Sequence, residues 1–303
     1  MPIDFESIIV DDTPSLNDTA LIGLQSLFVQ WQKDVHCIFV AIQGLLMDAN
    51  LEEVQPSSDT RHIVRKTVDV QSSSCEGLGK AGTVQHVRVI QGAPNGLSTS
   101  GSLTITQASR GVSSRVEAGD LFGAAVAVGD FDGDGFDDLA IGAPGEDIGK
   151  RADAGLVHLL HGSPGGLVVG GSRRFNGNAK GLPNSAEPGD RFGQTLAAGD
   201  VDGDGYGDLV IGAPGEDVGK AVDAGAAFVL YGSRQGLRTR GAAVLHQASP
   251  GVAGTVGSGD AFAEAVAVGD VDGDGYADLV FPAKDTDTVV VRRNDGNGAF
   301  PAG

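Results

Sequence analysis

Apolar positions along the chain follow two rhythms. In "NDTALIGLQSLFVQW", residues 17–31, Leu21, Leu24, Leu27, Phe28 and Trp31 recur at helical spacing. That predicts a helix with Asn17 or Asp18 near its start. "CIFVAIQGLLM", residues 37–47, fits a buried strand or more helix equally well. Around Ile63–Val70 the pattern alternates, which predicts a strand running into a polar linker. Past residue 80 the runs become short and even. Between residues 192 and 248 they read "FGQTLAAGD", "DLVIGAP", "AAFVLYG" and "AAVLHQA". Each is of strand length, and Gly, Pro, Asp or Ser fills the gaps.

This second rhythm repeats every 70 residues. "GDFDGDGFDDLAIGAPGED" begins at Gly129, "GDVDGDGYGDLVIGAPGED" at Gly199 and "GDVDGDGYADLVFPAKD" at Gly269. Phe122, Phe192 and Phe262 each stand eight residues before the first loop aspartate. Four strands per period imply one four-stranded sheet per repeat, stacked radially as a β-propeller or in an open array. Repeats start near 119, 189 and 259. Residues 81–117 align with the back half of a repeat, because "VIQGAPNGL" and "ITQASRGV" recur in its later strands. The expected organisation is an N-terminal segment over 1–80, α or α/β in class, and an all-β domain over 81–303 with about three blades and a half.

Composition sharpens that boundary. Residues 81–303 hold 44 of the 48 Gly, whereas both Met, both Cys and the single Trp lie in the first 80 residues. Cys37 and Cys75 are compatible with one disulfide or with two free thiols. The net charge of −19 argues against nucleic acid or an anionic membrane as partner. The apolar stretch Val35–Met47 is too short to span a bilayer. The opening "MPIDFESIIVDD" is acidic where a secretory signal would be basic, so no signal peptide is visible.

The charge is concentrated in a few places: thirteen of the 40 acidic side chains sit in the three loops. In the first, Asp130, Asp132 and Asp134 hold loop positions 1, 3 and 5, the Phe136 carbonyl position 7 and Asp138 position 9. The equivalents are Asp200, Asp202, Asp204, Tyr206 and Asp208, then Asp270, Asp272, Asp274, Tyr276 and Asp278. Alternate carboxylates with glycines between them converge on one side of a turn. Such an all-oxygen shell suits Ca²⁺. Without a cation the carboxylates would repel one another. An EF-hand wants an acid at position 12, where Ile141, Ile211 and Phe281 stand in apolar strands, so that reading fails. Three Ca²⁺ would take the charge from −19 to −13, and metal binding is expected to couple to folding.

Phe122–Gly123 and Phe192–Gly193, Gly142–Ala143–Pro144 and Gly212–Ala213–Pro214, with the aspartate loop between each pair, resemble the FG-GAP repeat of the integrin α N-terminal β-propeller and its bacterial relatives. The resemblance covers about residues 81–303. It implies a propeller with structural Ca²⁺ in hairpin loops on one face. It also implies extracellular or cell-surface binding or adhesion, with a protein or glycan ligand at the opposite face. The third repeat departs from the pattern, with Phe262–Ala263 and "FPA" at 281–283, while keeping its loop. Propellers of the family have about seven blades, so this chain reads as a fragment, an open arc, or an array completed by self-association.

No catalytic constellation stands out. "GLGKAG" at 77–82 fits a dinucleotide fingerprint but precedes a strand rather than a helix. His158 and His161 point to opposite faces of one strand, which does not suit a shared metal. The "GED" turns at 145–147 and 215–217 recur as repeat architecture. The leading expectation is a non-enzymatic, calcium-stabilised binding module. The alternatives are the accessory propeller of a secreted, phospholipase-like hydrolase, and a truncated propeller without independent function.

Overall fold

The computed structural model describes residues 67–69, 86–93, 96–112, 114–252, 254–283 and 288–292. The helix expected near 17–31, the 37–47 segment, both cysteines and the "GLGKAG" stretch lie outside the described residues. Every described residue belongs to one compact unit. It contains strands and turns and, among the described residues, no helix. None is therefore long and apolar enough to cross a membrane.

The strands form four antiparallel sheets, each open at both edges. The first is β1 (Thr67–Asp69), β2 (His86–Ala93) and β3 (Gly96–Thr106). The second is β4 (Val126–Gly129), β5 (Asp138–Ala143), β6 (Leu156–His161) and β7 (Val168–Phe175). The third is β8 (Thr195–Gly199), β9 (Asp208–Ala213), β10 (Ala226–Tyr231) and β11 (Arg238–Leu245). The fourth is β12 (Ala267–Gly269), β13 (Asp278–Ala283) and β14 (Thr288–Arg292). Within each sheet consecutive strands are neighbours. These are propeller-type blades, one per 70-residue period. The half blade expected over 81–117 gains a third strand: β1, from the alternating stretch upstream of residue 80, pairs Thr67 with Ile90 and Asp69 with Arg88.

The core lies between blades. β5 and β9 are buried at all six positions, so both of their faces are covered, which is why they read as unbroken apolar runs. One cluster joins Val87, Val89 and Ile105 of the first sheet to Phe122, Leu139 and Ile141 of the second. A second joins Val157, Leu159 and Phe175 to Phe192, Leu209 and Phe228. A third joins Val210, Val229 and Tyr231 to Phe262, Leu279 and Phe281. The repeated phenylalanine thus plugs the seam between its own blade and the preceding one. Phe192 lies 5.2 Å from Phe228, and Phe262 lies 4.8 Å from Phe281, centroid to centroid.

Candidate metal centres

Each acidic loop closes the hairpin between the first two long strands of its repeat. The last ladder pairs below the loops are Gly129 with Asp138, Gly199 with Asp208 and Gly269 with Asp278. The first aspartate organises the turn. Asp200 Oδ1 accepts the N–H groups of Gly203 at 2.8 Å and Asp204 at 3.1 Å, and its Oδ2 accepts that of Gly205 at 2.9 Å. Asp270 does the same with Gly273, Asp274 and Gly275. Asp130 accepts from Asp134 and Gly135. Gly133 and Gly135, at φ +70° and +86°, take the left-handed conformations that the turn needs. Side chains at position 5 accept from the N–H of Phe136, Tyr206 and Tyr276.

The position-9 aspartates are buried at the strand root. Asp138 and Asp208 each accept the N–H just past the third strand, from Gly162 and Gly232, at 2.7 Å. Their Oδ2 atoms differ. Asp208 and Asp278 accept from Val201 at 2.8 Å and Val271 at 3.1 Å, whereas Asp138 Oδ2 has no hydrogen-bond partner.

Ligand atoms of Asp200, Asp202 and Asp208 lie within 4.8 Å of one another, as do those of Asp270, Asp272 and Asp278. In the first loop Asp130, Asp132 and Asp134 form one such group, and Asp132, Asp138 and His161 form another. Asp204 and Asp274 stand outside these tight groups. Hard oxygen donors this close fit a divalent cation. Their electrostatics point the same way. Burial pushes Asp138 up to about 6 and Asp208 up to about 7, and neighbouring aspartates add to both. Asp202 is also raised, by burial and then by Asp204. Asp270, fully exposed, is instead held below the usual range by the Gly275 N–H. A bound cation would reverse the cost of ionising the buried group.

Adjacent loops are tied together. The Gly207 N–H donates to the Asp130 carbonyl at 2.8 Å and the Ser233 N–H to the Phe131 carbonyl at 3.2 Å. The Tyr206 ring packs on Gly133, where an added Cβ would lie 2.5 Å from it. Phe131 and Val201, at loop position 2, are completely buried, while Val271 in the last loop is 53% exposed.

The far ends of the blades hold carboxylates of another kind. The turns after β5 and β9 bury Glu146 and Glu216, and Asp120 and Asp190 are buried beside them. Gln107 Nε2 donates to Glu146 at 2.5 Å and Asn184 Nδ2 to Glu216 at 2.9 Å. Burial pushes Glu146 up to about 7 and Glu216 up to about 8, with Asp120 and Asp190 respectively raising them further. The sequence shows these turns only as repeated "GED"; their burial depends on the packing of the chain segments around Gln107 and Asn184.

The two histidines of β6 part company. His158 is fully buried, edge-on to Phe122 at 5.5 Å, in the place Phe228 takes in the next blade. Burial holds it neutral, its pKa lowered to about 4, and Nε2 lies 3.2 Å from Ser114 Oγ. His161 faces the acidic loop: Nδ1 is 3.4 Å from Asp138 Oδ1 and 3.5 Å from Asp132 Oδ2. The strand spacing correctly separates the two rings, but it does not reveal what His161 meets. The β5–β6 register, Leu139 opposite Leu160, is the signal that places Asp138 beside His161.

The FG-GAP repeat family matches residues 122–160, 192–230 and 262–299, one span per acidic loop. The chain carries three FG-GAP repeats. It is 32% identical to integrin alpha-PS5 of Drosophila melanogaster over 181 residues, 58% of this chain and 16% of that one. It is 30% identical to integrin alpha-4 of Xenopus laevis over 223 residues, 72% of this chain and 20% of the relative. Phosphatidylinositol-glycan-specific phospholipase D of Rattus norvegicus is 34% identical over 158 residues, 51% of this chain and 17% of the enzyme. The chain thus spans a fifth or less of the length of these relatives.

The two halves of the FG-GAP signature meet physically. The Gly123 N–H donates to the Gly142 carbonyl at 2.8 Å, and that of Gly193 to the Gly212 carbonyl at 3.0 Å. Across the seam, a Cβ on Gly142 would lie 2.1 Å from the Gly193 carbonyl oxygen. One blade's GAP therefore seats the next blade's FG. Ala263, which replaces the glycine in the third repeat, keeps φ at +64°, so the backbone shape persists after the side chain has changed.

Proposed function

We propose that the three acidic loops bind Ca²⁺ and that the chain is a calcium-stabilised, non-enzymatic module for extracellular binding or adhesion. The observation that carries this is the convergence of aspartate oxygens within 4.8 Å in all three loops. The donors would be Asp130, Asp132, Asp134 and Asp138, Asp200, Asp202, Asp204 and Asp208, and Asp270, Asp272, Asp274 and Asp278, with the Phe136, Tyr206 and Tyr276 carbonyls. The ion would neutralise carboxylates that the fold otherwise holds at a cost. β5 and β9 run from acidic loop to GAP turn, so the opposite blade ends would be the face for a protein or glycan ligand. The integrin alpha similarity supports that direction.

The test is a thermal melt of the full chain from chelator to about 10 mM Ca²⁺, beside Mg²⁺; extracellular-type sites saturate near 0.1–1 mM, roughly. A Ca²⁺-selective rise that disappears in Asp132→Ala/Asp202→Ala/Asp272→Ala supports the reading. A cooperative melt indifferent to Ca²⁺ sinks it. The similarity to the phospholipase D favours a second reading, the accessory part of a hydrolase. Release of the lipid anchor from a glycosylphosphatidylinositol substrate by the intact chain would decide for it.

A further inference from the structure

We propose that the first acidic loop, unlike the other two, is a mixed nitrogen–oxygen site that takes a transition-metal dication such as Zn²⁺ in place of Ca²⁺, held by His161 Nδ1, Asp132 and Asp138. The proposal rests on the reading that these loops hold cations, and it narrows which cation one of them selects.

The loops share their acidic positions but not the residue at the end of the third strand. There β6 ends in His161, whereas the third strand of the next blade ends in Tyr231 and that of the last blade in Arg292. In the second and third loops the close group is positions 1, 3 and 9. In the first, His161 takes the place of Asp130 in that group. The set is therefore not merely acidic: it contains an imidazole nitrogen.

A second observation concerns unmet bonding capacity. The Asp138 side chain is 1% exposed. Its Oδ2 lacks the backbone N–H that Asp208 and Asp278 have, and His161 Nδ1 is likewise buried without a hydrogen-bond partner. The His161–carboxylate separations of 3.4 and 3.5 Å exceed hydrogen-bond length. The Asp138 oxygen that faces the ring is Oδ1, which already accepts the Gly162 N–H; an ion held between it and His161 Nδ1 would give the ring nitrogen the partner it lacks.

Spacing alone does not choose the ion. Donors 2.1 Å from a tetrahedral Zn²⁺ stand about 3.4 Å apart, and neighbouring donors around an octahedral Ca²⁺ stand at about the same distance. Donor chemistry chooses. Ca²⁺ takes oxygen, whereas imidazole suits Zn²⁺, Ni²⁺ and Cu²⁺. Asp132 and His161, with side chains 22% and 32% exposed, leave the ion a path in and room for water as a further ligand.

The experiment counts Ca²⁺ on the full chain by equilibrium dialysis with and without Zn²⁺, and records Co²⁺ absorption in the visible range. Zn²⁺ is expected to displace one Ca²⁺, and Co²⁺ to give a ligand-field band. In His161→Tyr, which installs the next blade's residue, Zn²⁺ should displace none and the band should vanish. Zn²⁺ affinity at the site should fall by more than about 100-fold, the upper end for losing even an outer-shell partner. His161→Asn serves the same purpose if the tyrosine crowds the loop. Displacement that is absent in the wild type, or unchanged in both variants, overturns the proposal. If the chain binds no Ca²⁺, the calcium reading fails by itself. The Co²⁺ band and its dependence on His161 then decide this one.

Discussion

The two ends of each blade both gather carboxylates, and they hold them in opposite ways. At the acidic loops, aspartates crowd together around backbone N–H groups, half open to water. At the GAP turns, Glu146 and Glu216 are buried singly beside Asp120 and Asp190, each with an amide donor from an adjoining turn. The first arrangement suits the cation proposed for it, and the second suits a proton. Burial decides between them: a shared, accessible group of oxygens can take an ion, whereas a carboxyl sealed under a turn beside a second acid is cheaper to neutralise.

The strongest way to break this comparison is to withhold the cation. Three sites at a hundred times their dissociation constants would add about 8 kcal/mol to stability, about 2.7 for each. Chelation should lower the melting temperature by tens of degrees, roughly, and leave the turn end to unfold with the rest. Differential scanning calorimetry would show it. A loss confined to one blade would mean that the loops act separately.

Filling the seam at the turn end comes next. Gly212→Ala would place a Cβ 2.1 Å from Thr195 Oγ1 and 2.4 Å from the Ala263 carbonyl oxygen. One of these obstacles is backbone, so the blades must part, at a cost of about 3 kcal/mol. Urea denaturation measures it, and a cost under about 1 kcal/mol would mean that the seam gives way easily.

The proton at the turn end has a sign that can be checked. In the fold Glu216 keeps its proton up to about pH 8, whereas its ordinary value is 4.5. The folded state therefore binds more protons between these values. The contribution is fully present below pH 4.5 and is lost as pH rises through about 8. Glu216→Gln should flatten the fall and exceed the wild type by about 2 kcal/mol above pH 8, below the limit of about 1.4 kcal/mol per pH unit across the window. Parallel pH profiles for the two proteins would remove the assignment.

The smallest effect is at the altered third repeat. Ala263→Gly relieves a left-handed alanine but removes a methyl fully buried in the core cluster of that seam; each effect is about 1 kcal/mol, so they should nearly cancel and the melting temperature should move by no more than a few degrees.

Much of this was legible beforehand because repetition multiplies weak signals. A single Asp/Gly turn says little, but three in register at 70-residue spacing mark the hairpins, the strand runs and the blade count. Less legible were contacts made across strands or seams. His161 and Asp138 are 23 positions apart and meet only through the β5–β6 register. Glu146 meets Gln107 from the preceding repeat. The strand at Thr67–Asp69 joins the first sheet from beyond a compositional boundary that suggested a separate region.

The sequence by itself determined the local pieces: which runs are strands, where glycines allow the loops to turn, and where aspartates alternate. These depend on neighbours within a few residues. Tertiary structure alone decided which carboxylates are buried, which side chain joins the first loop, and why FG and GAP occur together. Burial and seam contacts are set by chain segments from other strands and other repeats, and no local pattern records them.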